Sequence, residues 1–166
     1  MNVVWPCFTN QKVMRMSIEH IRAAIDAQGR CHTLEFRPRT LLEGTLFSEI
    51  DRFVESINEN EPEWIKFQGL GERWDEINEA TAGTIICRIL EFDLAYSSYR
   101  EMDEAEAMAI RDLFLAMFDD KVRFFTNGTF TSYGLSCNSV AGATFETGVI
   151  AVDSQNIGML WCHDED

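Results

Sequence analysis

GVIAVDSQNIGMLWCHDED, residues 148–166, carries two apolar runs on either side of the polar triplet Ser154-Gln155-Asn156, and closes on three acids. Each run has strand length, and the triplet between them favours a turn, so the stretch predicts a finishing β-hairpin from TFETGVIAVD to IGMLWC. Working upstream, VRFFTNGTFTSY places Asn127-Gly128 between apolar runs. That dipeptide suits a type I′ turn, whose central residues need positive φ, and predicts a second hairpin. GLSCNSVAGA between them reads as loop or irregular strand.

Helical patterns lie earlier. SIEHIRAAIDAQG predicts a helix with Ser17 as its cap, Ile18, Ile21 and Ile25 on one face, and Gly29 as its stop. TLFSEIDRFVESINEN places Leu46, Ile50, Phe53, Val54 and Ile57 at the helical period, with Glu49, Asp51, Arg52 and Glu55 opposite. Asp103 and Glu106 have capping-box spacing ahead of Ala107, Ile110, Phe114 and Met117. VVWPCF, CHTLEF and EWIKFQ read as short strands. TIICRILEFDLAY, rich in β-branched residues, predicts a central strand. GLGERWDEINEATAG fits loop or short helix. Helices early and strands late, with little βαβ alternation, indicate an α+β fold. The expectation is a single domain over residues 1–166. It has a mainly antiparallel sheet, about three helices in the N-terminal two-thirds, and β-hairpins at the C-terminus.

Composition narrows the function. The 166 residues are 46% apolar, enough for a full core, and no run is long enough to span a membrane. The N-terminus shows no basic stretch before an apolar run and no cleavage site, so the expected location is the cytoplasm. Five widely spaced cysteines, an odd number, read as reduced thiols. Net charge is −14, from 28 acids against 14 bases. Such a surface repels phosphate backbones and attracts a basic partner. The charge is also uneven. Residues 43–79 hold 11 acids and 3 bases and residues 101–120 hold 7 acids and 1 base, while residues 1–42 are net positive.

A search for chemistry ends without catalytic residues. Cys31-His32 and Cys162-His163 contain zinc-ligand types, but neighbouring side chains on a strand point to opposite faces, so neither dipeptide offers both groups to one metal. No nucleophile elbow, cysteine-protease signature or phosphate loop occurs. The expectation is therefore a protein without catalytic, cofactor or metal residues. Trp74 stands out among the tryptophans because Glu72, Asp75, Glu76 and Glu79 surround it, an arrangement suited to docking on a basic surface, although a tryptophan is more often a core residue.

The ending resembles the terminal hairpin of bacterial immunity proteins encoded beside polymorphic or contact-dependent growth-inhibition toxins. In those families a GVI-x-V/I-D strand leads through a turn into IG-x-L-W-x-x-DED. The matching residues are Gly148, Val149, Ile150, Val152 and Asp153, then Ile157, Gly158, Leu160, Trp161, Asp164, Glu165 and Asp166. The match covers about the last quarter of the chain. The resemblance implies a small cytoplasmic antitoxin that binds the C-terminal domain of a cognate toxin, without catalytic residues of its own. Nucleases present basic surfaces to phosphate, so an acidic inhibitor fits a nuclease toxin. The contact residues expected are Glu72, Trp74, Asp75, Glu76 and Glu79, then Glu101, Asp103 and Glu104. Two other readings compete: a small enzyme with an unrecognised carboxylate or Cys/His metal site, and an acidic DNA-mimic inhibitor.

Overall fold

The computed structural model describes residues 8–29, 32–40, 43–59, 61, 65–96, 98–131 and 134–164. The first element is helix α1 (Phe8–Ala27), followed by strand β1 (His32–Pro38) and helix α2 (Leu46–Ser56). A short strand β2 (Asp75–Ile77) leads into helix α3 (Glu79–Glu91) and helix α4 (Glu104–Leu115). Strands β3 (Arg123–Thr126), β4 (Gly128–Thr131), β5 (Gly134–Cys137), β6 (Phe145–Val152) and β7 (Asn156–Asp164) complete the order. This is the expected α+β class with its strands gathered late, and it has four helices.

The final hairpin is present as expected. β6 and β7 pair antiparallel from Phe145↔Asp164 to Val152↔Ile157, and they form the middle of a five-stranded sheet ordered β1-β7-β6-β3-β2. Both faces of that sheet are covered, which explains why its runs are continuously apolar rather than alternating. Val149, Ala151, Leu160 and Cys162 face α1, α3 and α4, and Ile150, Val152, Met159 and Trp161 face α2 and the 65–74 segment. Period-two alternation therefore survives as a choice between two cores.

Three helices follow their sequence signals. Thr45 caps α2 by accepting from Ser48 N–H, and Asp103 caps α4 by accepting from Glu106 N–H at 3.0 Å. Ala107, Ile110 and Phe114 are buried along one side of α4, and Met117 is buried just past its end. α1 is longer than expected. Ser17 lies inside it, its hydroxyl donating to Val13 C=O, and Gly29 at φ 66° ends it.

Besides the Ser17 cap, three expectations are overturned. TIICRILEF is helix rather than central strand. Asn78 accepts from Thr81 N–H at 2.8 Å and starts the helix, and Ala82, Ile85, Ile86, Ile89 and Leu90 then fall on one buried face at the helical period. Burial of that face against the sheet outweighs the modest helix propensity of isoleucine. The Asn127-Gly128 hairpin is also absent: β3 joins the main sheet, whereas β4 pairs with β5. Neither residue of the dipeptide has positive φ. Asn127 is fully buried, its amide donating to Asn138 C=O and Glu146 C=O while Thr147 Oγ1 donates to its carbonyl oxygen. Those bonds redirect the chain out of the sheet instead of folding it back.

Within EWIKFQ, residues 65–68 are not a strand, although Ile65 and Phe67 are buried and Lys66 and Gln68 exposed. Gln68 N–H donates to Val140 C=O at 2.8 Å, which fastens this segment to the loop before β6. The residues at 62–64, and those of VVWPCF before Phe8, lie outside the described residues. No described helix is long and apolar enough to cross a membrane.

Candidate functional site

The acids singled out in the sequence fall on two neighbouring features. The first is the edge of the sheet. Glu72 is exposed in a 3-10 turn (Gly71–Arg73), and Asp75 and Glu76 are exposed on β2, the last strand of the sheet. Acids on an outer strand also discourage edge-to-edge pairing with another sheet. Glu76 is engaged: Arg123 Nε and Nη2 donate to its two oxygens, each at 2.8 Å. That fork holds the Glu76 carboxyl below its ordinary pKa, against a smaller opposing effect of desolvation.

The second feature is a groove between α3 and α4. Cys87 Sγ meets Arg111 Nη1 at 3.9 Å, while at the other end Glu101 N–H donates to Glu91 C=O at 2.7 Å. The helices are therefore antiparallel, and an open groove of about 720 Å³ runs between them. Ala80, Gly83 and Thr84 give α3 a low wall, and Met108, Arg111 and Leu115 supply the facing wall from α4. Glu79 and Asp112 contribute to the lining, as do Glu91 and Glu104. One member of each predicted acidic set, Glu79 and Glu104, thus borders the same groove. Glu72, Asp75 and Glu76 stay on the sheet edge, outside it.

The lining carries four carboxylates against two guanidiniums, and both guanidiniums are occupied. Arg111 Nη2 lies 2.8 Å from Asp112 Oδ1. Arg88 stacks 4.5 Å over the Phe92 ring and 5.7 Å from that of Phe130. Arg100, beside the groove, pairs with Glu91 at 3.4 Å. Burial pushes the half-buried Cys87 thiol up in pKa, with Arg111 opposing.

Trp74 does not join this surface. It is 3% exposed, its indole N–H donates to Asp51 Oδ1 at 2.8 Å, and its ring meets Trp161 edge-on with centroids 6.3 Å apart. Asp51 also accepts from the N–H groups of Leu70 and Gly71. The ring of acids around Trp74 in the sequence thus surrounds a core residue whose neighbours alone are exposed. Asp103 is committed to capping α4, and Glu101 is half-buried at the helix junction. Glu104 is exposed at the start of α4.

Cys162 and His163 point into opposite cores. Cys162 packs with the helices, while His163 lies edge-on to Phe67 at 6.3 Å. His32 pairs with Cys162 across β1 and β7, and its Nε2 lies 3.0 Å from Ile89 O. Among the described residues no group of three His, Cys, Asp or Glu side chains is placed to hold a metal ion, and Cys87 and Cys137 are free thiols.

Sequence reasoning missed the exposed aromatics. Tyr96 and Tyr99, 63% and 64% exposed, stand in the loop joining α3 to α4, and Met108 is 40% exposed on the groove wall. Reading residues 84–96 as strand concealed both the helix pair and its connecting loop. The cap spacing of Asn78 and Thr81 was the available signal. Compared with protein-family models, curated proteins and solved structures, the chain matches none.

Proposed function

We propose that this protein is an immunity protein, an antitoxin that binds a cognate toxin domain and blocks its active or substrate-binding surface. The toxin is a nuclease whose basic face, shaped for phosphate, is covered by the acidic face of the inhibitor. The observation that carries this reading is the state of the bases interleaved with the exposed acids. Arg100, Arg111 and Arg123 are each paired with a carboxylate and the exposed Arg73 donates to Leu70 C=O, while Glu72, Asp75, Glu79 and Glu104 remain exposed. The field beyond the surface is therefore negative and steers a cationic partner.

The test is co-expression with the variable C-terminal domain of a secreted protein encoded beside this gene, scored by cell survival and by association kinetics. Wild-type protein is expected to protect and to bind with nanomolar affinity or better, about 12 kcal/mol. Reversing Glu72, Asp75, Glu76 and Glu79 to lysine is expected to slow association about tenfold and flatten its salt dependence. Unchanged association after all four reversals would move the interface elsewhere. A wild-type chain that neither binds such a domain nor protects against it would end the antitoxin reading.

A further inference from the structure

Steering alone gives speed, and tight binding also requires buried anchors. The large apolar side chains that the described residues leave exposed are few: Val13 and Met16 on α1, Tyr96 and Tyr99 in the α3–α4 loop, and Met108 on α4. The last three belong to one place. Met108 lines the groove, as does Phe92, where the tyrosine loop begins.

That loop is built rather than loose. Asp93 N–H donates to Tyr99 C=O at 3.1 Å, Tyr99 N–H to Tyr96 C=O at 2.8 Å, and Tyr96 N–H to Asp93 Oδ1 at 2.6 Å. Phe92 and Arg100 form a β-bridge across its neck, and Arg100 stacks 5.0 Å over the Phe92 ring. Tyr96 and Tyr99 are therefore held at the backbone with their rings presented to solvent, in the connection that Glu91 and Glu101 flank in sequence. Tyrosine supplies large contact area at low cost in side-chain entropy, and its ring face attracts cations.

From this geometry we infer that the α3–α4 groove and its tyrosine loop form one seat for a cationic amphipathic helix of the partner. This deepens the antitoxin reading and rests on its premise of a basic partner. α3 has 13 residues, so the groove extends about 20 Å, the length of a partner helix of about three and a half turns. An apolar residue of that helix packs on Met108 over the low wall of Ala80 and Gly83. Its arginines or lysines reach Glu79 and Asp112 at one end and Glu104 at the other, with one cation lying over Tyr96 or Tyr99. Charge complementarity selects this occupant, because Glu79 and Glu104 are exposed at opposite ends of the groove while Arg111 is paired with Asp112 and Arg88 is stacked on Phe92.

The test uses the full chain and a synthetic amphipathic peptide with leucines on one face and arginines at both ends. The control is a scrambled peptide of the same composition. Affinity is measured by calorimetry and position by amide chemical shifts. The helical peptide is expected to bind at least tenfold more tightly than the scramble and to shift the amides of Gly83, Thr84, Tyr96 and Tyr99. Tyr96→Ala/Tyr99→Ala and, separately, Met108→Glu are expected to weaken it about tenfold, while Glu59→Gln on the opposite face leaves it unchanged. Because all three substituted side chains are exposed, folding is retained and is checked by the amide spectrum. Equal binding of both peptides, or shifts spread over the whole acidic surface, would overturn the seat. So would concentration-dependent self-association that the tyrosine variant abolishes, since the occupant would then be a second copy. Toxin protection that survives both variants would refute the seat and leave the antitoxin reading standing. Peptide seating without any toxin binding would do the reverse.

Discussion

Gly148 and Glu146 lie two positions apart on β6 and face the same core. A Cβ at Gly148 would stand 2.3 Å from Leu160 O and 2.6 Å from the Trp161 ring, so the absent side chain is what lets the indole lie flat on the sheet. Gly148→Ala is expected to cost about 1–3 kcal/mol, read as a lower urea midpoint with an unchanged slope. Glu146 is 1% exposed and acts as a buried hub. Its oxygens accept from the N–H groups of Val140, Ala141 and Gly142, from Ser139 Oγ, and from Trp161 Nε1. Glu146→Ala strands several of these donors and is expected to cost about 3 kcal/mol or more, with Glu146→Gln intermediate, on the same denaturation assay. Both residues lie within or beside the opening stretch, and both touch its tryptophan, although Glu146 is held chiefly by residues 139–142.

Between elements, two guanidinium clamps join neighbouring pieces of the fold. Arg39 donates to both oxygens of Glu49 at 2.7 and 2.9 Å and to Asp153 C=O at 2.8 Å, joining α2 to the β6–β7 turn. Its neighbour Glu49 holds the Arg39 pKa up, so the charge persists at any pH of interest. Arg39→Ala is expected to lower stability by about 1–3 kcal/mol, with Arg39→Lys recovering only part because it cannot fork. The Arg123–Glu76 clamp between β2 and β3 is half-exposed and so contributes about 0.5 kcal/mol or less after screening. Because folding lowers the Glu76 pKa, that contribution is full above the unfolded carboxylate value and is lost as pH falls through the folded one. The stability difference between wild type and Glu76→Gln is therefore expected to be largest near neutrality and to vanish in acid, as followed by denaturation at stepped pH. Elements were legible in the sequence where local chemistry and burial agreed. The cap Asp103, the apolar face of α2 and the apolar runs of β6 and β7 are such cases. They were illegible where tertiary partners decided. Ile85, Ile86 and Ile89 have strand composition but are packed as helix, and Asn127-Gly128 has turn composition but is bonded to β6 and Asn138. The acids of the candidate surface were legible as charge. Their common groove was not, since it exists only once α3 is a helix.

At the scale of the whole molecule, a net charge of −14 on 166 residues is self-repulsive. Moderate sodium chloride is expected to raise the melting temperature by a few degrees, about the effect of 1 kcal/mol, in calorimetry at neutral pH. The strand order has a consequence in time. β1 pairs only with β7 in the sheet, so His32 and its partner Cys162 are separated by most of the chain. β6 and β7 are also the strands on which both cores converge. During synthesis, α1, β1, α2, α3 and α4 all emerge before the surface that is to cover them, and closing such long loops is slow. Nascent chains stalled after α4 should therefore be digested readily by protease, and chains stalled once β7 has cleared the exit tunnel should resist. For that interval the growing polypeptide depends on chaperones, and its earliest helices wait, unsheltered, for its latest strands.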